Sequence, residues 1–241
     1  MPSLKGTKWF FYRTTLLSKW YFKIRGTTSF AKNNLDINLA RQMPYRNGFY
    51  IEIGANDGIQ QSNSKYFEVF QGWRGVLIEP FVPNYELLRK KRSGKNFFFN
   101  CACVPFGYKN REVELIYSDL MTTSLNLEND LESIEKHIEI SRQYLRNGYV
   151  HQFSAPARTM NELLILCQAP QLIDFLSLDV EGAEIGVLQG IDHEQFRFKY
   201  ILVECRDLNK MNEYLLPVGY ELVEKISEHD YLFKNKMGPS L

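Results

Sequence analysis

Gly48-Phe-Tyr-Ile-Glu-Ile-Gly-Ala-Asn-Asp-Gly58 decides the fold. Residues 48–54 are a short apolar run that stops at a glycine, the pattern of a strand buried on both faces of a parallel sheet. Gly54 and Gly58 then permit a tight turn and a close approach of ligand to backbone. Outward from this point, strand-like and helix-like stretches alternate. Residues 63–71 have helical spacing, with Tyr66, Phe67 and Phe70 on one side. Gly75–Glu79 reads as a second strand, and Pro83 opens a helix that reaches Arg92. Extended runs follow at 96–102 and 111–117. Residues 124–148 are polar and helix-prone, an insertion over one face, and Thr159 is a natural N-cap for a helix over 158–167. Ile173–Asp179 and Tyr200–Glu204 are further core strands, with a helix from Gly182 to Leu188 between them. A short helix covers 208–216, and 220–224 with 231–234 reads as a hairpin. This alternation predicts an α/β fold, a doubly wound and mostly parallel sheet with helices on both faces and an antiparallel C-terminal hairpin.

Of the 241 residues, 44% are hydrophobic and 24% charged, so a packed core is expected. A net charge of +1 supplies no broad phosphate-binding surface, and nucleic acid is not an expected partner. Cys101, Cys103, Cys167 and Cys205 form no CxxC pair and each lies in or beside an apolar run, the pattern of buried free thiols in a reducing compartment. No apolar stretch reaches the roughly 18 residues of a membrane span, and Lys and Arg interrupt any signal-peptide core. A cytoplasmic protein is the expectation, with peripheral contact at the inner membrane surface open.

Residues 1–45 stand apart as a basic, aromatic extension of a domain over 46–241, within which 118–158 is the substrate-side insertion. Residues 1–35 hold no Asp or Glu but carry Lys5, Lys8, Arg13, Lys19, Lys23 and Arg25, interleaved with Trp9, Phe10, Phe11, Tyr12, Trp20, Tyr21 and Phe22. Three readings fit this pattern: a helix packed on the domain, contact with an anionic membrane surface, and a targeting peptide.

In an open parallel sheet, ligands bind beyond the carboxyl ends of the strands. Those ends here are Glu52 to Gly58, Glu79, Asp179-Val-Glu181-Gly182 and Glu204-Cys-Arg206-Asp207. Acidic groups therefore gather on one rim, which suits a ligand with positive charge or hydroxyl donors. The spacing Gly54…Gly58, with Ala55, Asn56 and Asp57 between, is not the dinucleotide fingerprint, and no phosphate loop is present. An acid-rich turn suits a sulfonium nucleoside carrying an amino-acid group. Glu79 lies 25 residues after Gly54, where a carboxylate can accept both hydroxyls of a ribose.

Tyr50–Gly58, the stretch Gly72-Trp-Arg-Gly-Val-Leu-Ile-Glu-Pro80, Asn100-Cys-Ala102 and Leu176-Ser-Leu-Asp-Val-Glu-Gly-Ala-Glu184 together resemble the FkbM family of S-adenosylmethionine (SAM)-dependent methyltransferases, over roughly residues 47–235. The resemblance implies the class I methyltransferase fold with its seven-stranded sheet. It also implies SAM as cofactor, held by Glu52, Gly54, Ala55, Asn56, Asp57 and Gly58, with Glu79 and Pro80 at the ribose. Ala102 and Cys103 would lie beside the adenine, with Asp179 and Glu181 facing the reaction centre and Asp179 also in contact with the cofactor. The implied activity is O-methylation, in many members of a sugar in a polysaccharide, glycolipid or glycosylated metabolite.

Methyl transfer to an alcohol needs alignment and removal of the hydroxyl proton, and Asp179 and Glu181 are the candidate bases. Both are also placed to cap the helix that follows. Asp179 and Glu204 admit Mg²⁺ as an alternative, though the chemistry does not require it. Thr123, Ser124, Arg158 and His229 are candidate substrate contacts for a small-molecule or glycan hydroxyl. N-methylation of a small amine, a non-catalytic SAM-fold scaffold and a dehydrogenase are the competing readings.

Overall fold

The computed structural model describes residues 15–143, 145 and 150–236. The expectations for residues 1–14, and for part of the stretch 144–149, lie outside them. The chain is α/β and divides into two compact units, Met1–Phe99 and Asn100–Leu241.

In the first unit, β1 (Phe49–Ile53), β2 (Arg74–Ile78) and β3 (Phe97–Phe99) run parallel in that order. All five β1 residues are buried, as the apolar run requires. Tyr50 pairs with Gly75, where any Cβ would meet the Tyr50 carbonyl oxygen at 1.9 Å. α3 (Val82–Lys91) has a proline in its first turn, where its missing N–H costs no helical bond, and three basic residues in its last, which complement the helix dipole. The helical stretch expected over 63–71 is instead a π-helical turn, Phe67–Gln71, in which Phe67, Glu68 and Val69 are buried in succession. An α-helical stripe would turn about 100° between consecutive residues and leave one of them out.

α1 (Thr15–Ile24) and α2 (Leu35–Gln42) belong to this unit. Phe22 of α1 packs edge-on against Phe30, with ring centroids 4.8 Å apart, in a small core that also contains Val69, Tyr66 and Phe70. The described part of the extension is thus anchored on the domain. Asp36 holds the approach to α2, accepting from the Phe30 N–H at 2.7 Å and the Ser29 hydroxyl at 2.5 Å.

The second unit has two sheets. β8 (Leu172–Leu178) and β9 (Arg197–Glu204) are parallel neighbours. β9 pairs antiparallel with β11 (Asp230–Asn235), which pairs antiparallel with β10 (Tyr220–Lys225). With the three strands of the first unit these make seven, mostly parallel, as the α/β reading expects. The other sheet, in the order β4 (Ala102–Cys103), β7 (His151–Arg158), β5 (Glu112–Tyr117), β6 (Thr123–Ser124), departs from the sequence reading. The run expected over 96–102 breaks into β3 and β4. Residues 151–158, not read as a strand, form a full ladder against β5 from Tyr117↔His151 to Glu112↔Pro156. In the described part of the insertion, α4 (Ile134–Arg142) is the one α-helix, capped by Ser133, and Asp119–Met121 form a 3-10 turn.

Three further α-helices lie among the strands of the second unit. α5 (Met160–Leu166) has a capping box in which Thr159 and Glu162 exchange hydrogen bonds. α6 (Glu184–Leu188) and α7 (Leu208–Leu215) follow β8 and β9. All four cysteines are free and buried.

A glycine turn and a carboxylate cluster

The turn after β1 is built from backbone conformations that few residues adopt. Gly54 and Gly58 have φ of 82° and 81°, and Asn56 is left-handed at 46°. The Gly54 and Ala55 N–H groups donate to the Ile78 carbonyl, and Gly58 N–H donates back to Ala55. A Cβ at Gly58 would lie 2.7 Å from Leu88 Cδ1 and 2.9 Å from Arg92 Cγ. Gly58→Ala is therefore expected to cost about 1–3 kcal/mol, from a strained φ and a displaced neighbour. Urea denaturation measures it, and a change below about 0.5 kcal/mol would show that the turn relaxes freely.

Glu79 follows β2 and is buried. Its Oε2 accepts from the Asn56 N–H at 2.8 Å and its Oε1 from the Phe81 N–H at 2.9 Å. These bonds aim the carboxylate and tie it to the turn. Burial nevertheless pushes its pKa up to about 7 against those donors. Pro80 follows directly. Asp57 accepts from the Ile59 and Gln60 N–H groups, both at 2.9 Å, and pairs with Lys91.

Glu52, expected beside the cofactor, lies beneath the turn. It accepts from the Ser62 and Ser64 hydroxyls, the Asn63 N–H and, at 3.1 Å, Arg92 Nη1. Arg92 is fully buried and holds much of this layer: Nε donates to Glu68 at 2.9 Å, Nη2 to the Tyr50 hydroxyl at 2.7 Å, and Nη1 to the Gly58 carbonyl at 3.3 Å. Lys65, also fully buried, lies 2.6 Å from Glu68. Burial would raise Glu68, but Lys65 and Arg92 outweigh it and hold the carboxyl at about 2, while burial lowers Lys65 to about 8. Sequence reading missed Arg92, Lys65 and Glu68 as a structural core, because charged residues in a helical pattern read as solvated. Lys91 and Arg92, the cations beside the turn, are engaged by Asp57 and by Glu52 with Glu68. The turn thus presents a carboxylate acceptor rather than cations for pyrophosphate, which fits a nucleoside with a free diol.

In the second unit, Asp179, Glu181 and Glu204 each place a carboxylate oxygen within 4.8 Å of the others. The β8–β9 register produces this: Leu178 pairs with Val203, so the next residues, Asp179 and Glu204, end neighbouring strands. Burial by the surrounding protein, the Glu204 and Glu181 charges and a hydrogen bond shared with Glu204 push Asp179 well above the usual carboxylate range. The Asp179 residue is itself exposed, so the neighbouring carboxylates carry more of that shift than desolvation does. Glu181 is buried in a left-handed conformation (φ 56°), a strained backbone for a non-glycine residue. Burial and Glu204 raise it to about 7, while Arg206 Nη2 donates to it at 2.8 Å.

Helix capping does not account for Asp179 or Glu181. α6 has no side-chain cap at its N-terminus, and Glu184 takes the preceding N–H groups of Val180 and Gly182 at 3.0 and 3.1 Å. Asp207 is spent on capping α7, accepting from Lys210 N–H.

The insertion contributes groups that the sequence did not single out. Asp130 Oδ2 accepts from Arg206 N–H at 2.6 Å, and His137 Nε2 lies 3.8 Å from Glu181. Thr123 is buried, its hydroxyl donating to the Glu181 carbonyl at 2.7 Å, so it fixes the strained residue. Ser124 is buried beside it. Arg158 lies exposed at the end of β7. His229 is in the turn before β11, where its carbonyl accepts from Cys205 N–H at 2.9 Å. Ala102 and Cys103 are buried in β4, with Ala102 in a cluster with Val104, Val113, Leu115 and Ala155.

The model of the methyltransferase FkbM domain matches residues 52–233. The chain belongs to the FkbM methyltransferase family. The matched domain is a methyltransferase domain. Among solved structures, this FkbM chain is similar to the METTL16 MTase domain, at 12% identity and a TM-score of 0.41, covering 84% of this chain and 65% of that one, less than two thirds of its length. It is similar to precorrin-6y C5,15-methyltransferase from Geobacter metallireducens GS-15, at 12% identity and a TM-score of 0.42, covering 86% and 90%. A methyltransferase from Geobacter sulfurreducens is similar at 13% identity and a TM-score of 0.41, covering 91% and 86%. No curated protein matches the chain in sequence.

Proposed function

We propose that the protein transfers a methyl group from SAM to a hydroxyl, that of a sugar in a polysaccharide, glycolipid or glycosylated metabolite. The observation that carries this reading is the Asp179–Glu204 carboxyl pair, solvent-accessible at Asp179, whose own pKa lies well above the usual carboxylate range. A base is most effective when its pKa lies near the working pH. An alcohol needs such a base, because its proton must leave as the new bond forms. Carboxylates also accept hydrogen bonds from the hydroxyls that crowd a sugar.

SAM supplies an electrophilic methyl carbon on a sulfonium. In this reading Glu79 accepts the ribose hydroxyls and the Gly54–Gly58 backbone lies against the nucleoside. Asp179, ionised, takes the acceptor's hydroxyl proton. Glu181, clamped by Arg206 and Thr123, is held in place beside the base. The carboxylate spacing of Asp179, Glu181 and Glu204 also suits a divalent cation, which would polarise the hydroxyl instead. Turnover that requires Mg²⁺ and is lost in EDTA would favour that second reading.

The test is incubation of the protein with isotopically labelled SAM and a panel of saccharide and amine acceptors, with mass spectrometry of the products. A methyl ether on a sugar supports the proposal. Transfer to amines alone replaces it with N-methylation, and SAM binding with no transfer to any acceptor indicates a scaffold.

Glu79→Ala is expected to weaken SAM binding by about 1–3 kcal/mol, because hydroxyls and N–H groups are left unpaired. Calorimetric titration reads this directly, and an unchanged Kd would remove Glu79 from the site. The pH dependence has a definite sign. A diol bound by Glu79 favours the carboxylate, whose pKa in the free protein is about 7. SAM affinity is therefore full above pH 7 and falls as pH drops below it, approaching about tenfold per unit. Glu79→Gln should flatten this profile, and an identical slope in the variant would assign the proton elsewhere.

A further inference from the structure

The mechanism makes no use of α1. Ser18 and Phe22, four residues apart, are buried, with Phe22 in the small core against Phe30 and Val69. On a helix, positions 20 and 24 fall roughly 200° from 18 and 22. There stand Trp20 and Ile24, 61% and 64% exposed. Lys19 and Lys23 flank them, and Arg25 stacks on the Tyr21 ring at 5.2 Å, all three exposed. Two large apolar side chains thus project from a helix whose other face is fastened to the domain, within a ring of cations.

Charge separates this face from the rest of the chain. Residues 1–35 carry seven Lys and Arg and no acid. The remainder holds the other twenty-two basic residues of twenty-nine against all twenty-eight acidic ones, a surplus of six negative charges. An anionic surface therefore attracts this end and repels the rest, which orients the molecule. No helix among the described residues is long and apolar enough to cross a membrane.

The geometry points to the outer face of α1 as a docking surface for an anionic lipid bilayer. Trp20 and Ile24 enter the headgroup boundary, and Lys19, Lys23 and Arg25 stay at the phosphates. Trp is suited to that depth because its ring is apolar while its N–H keeps a polar partner. The basic groups add long-range attraction that salt screens.

The experiment is co-sedimentation of the full chain with vesicles of phosphatidylcholine alone or with phosphatidylserine at about a third of the lipid. Binding to the anionic vesicles should be at least about tenfold tighter than to neutral ones, and should weaken at high salt. Lys19→Glu combined with Lys23→Glu and Arg25→Glu should reduce it at least about tenfold, and Trp20→Ser several-fold. Unchanged SAM affinity in both variants establishes that they are folded. Equal binding to both vesicle types, or anionic binding that survives the charge reversals, would overturn the assignment. So would binding to heparin or RNA that ignores Trp20→Ser in a protein that does not bind vesicles, which would make the face a polyanion site.

Discussion

Asp179→Asn is expected to lower kcat on the order of 10²–10⁴-fold and to leave SAM affinity nearly unchanged. Asparagine keeps the size and one hydrogen-bond acceptor of the side chain but cannot take a proton. Wild-type turnover should rise with pH as Asp179 ionises. Its raised pKa places that acid limb above the ordinary carboxylate range. The residual activity of the variant should lack the limb. Glu204→Gln supplies the complementary test. It removes the negative charge beside Asp179, so the aspartate ionises at lower pH and the limb moves down. Single-turnover rates across pH measure both. Full activity in Asp179→Asn would show that another group takes the proton, and an unmoved limb in Glu204→Gln would uncouple the pair.

Arg92→Met should destabilise the fold by about 3–5 kcal/mol. The guanidinium is fully buried and serves Glu52, Glu68, the Tyr50 hydroxyl and the Gly58 carbonyl. Whether such a network is better than a well-packed apolar one is a separate matter. Removing one partner leaves buried carboxylates without their cation, and that cost is large. Lys65 remains beside Glu68 but cannot span to Glu52 with a planar fork. For a chain of this size the loss corresponds to a fall in Tm of about 10 °C. Urea and thermal unfolding would read it. A loss under about 1 kcal/mol would mean that water enters the layer and solvates Glu52. SAM affinity should fall in the same variant, because the Gly58 carbonyl loses a donor that steadies the turn.

Much of the architecture could be read without coordinates. β1, β2, β8 and β9 are apolar runs ending at Gly or acid, and strands buried on both faces must look like that. The Thr159 cap and the C-terminal hairpin likewise follow from local chemistry. The strand at 151–158 could not be found this way. Phe153, Ala155 and Ala157 alternate inward along His-Gln-Phe-Ser-Ala-Pro-Ala-Arg, but two of the three are small alanines and Pro156 lies between them, which reads against a strand, and its identity comes from the ladder with β5. The π-helical turn at Phe67–Gln71 was hidden for a related reason, since a helical period in sequence does not reveal how wide the turn will be.

The two glutamates at the first two strand ends show where the division lies. Sequence alone determined that Glu52 and Glu79 would end neighbouring parallel strands beside a glycine turn, because apolar runs and glycine φ angles are local properties. Only tertiary structure decided that Glu79 would be aimed by the turn's N–H groups while Glu52 would be locked beneath by Ser62, Ser64 and Arg92. The same holds for Asp179, raised by Glu204 through strand register, and for Glu181, clamped by Arg206 and Thr123. Polar pairing depends on groups up to 76 residues apart, as with Asp130 and Arg206, that folding brings within 3 Å, and no local pattern encodes which of them will meet.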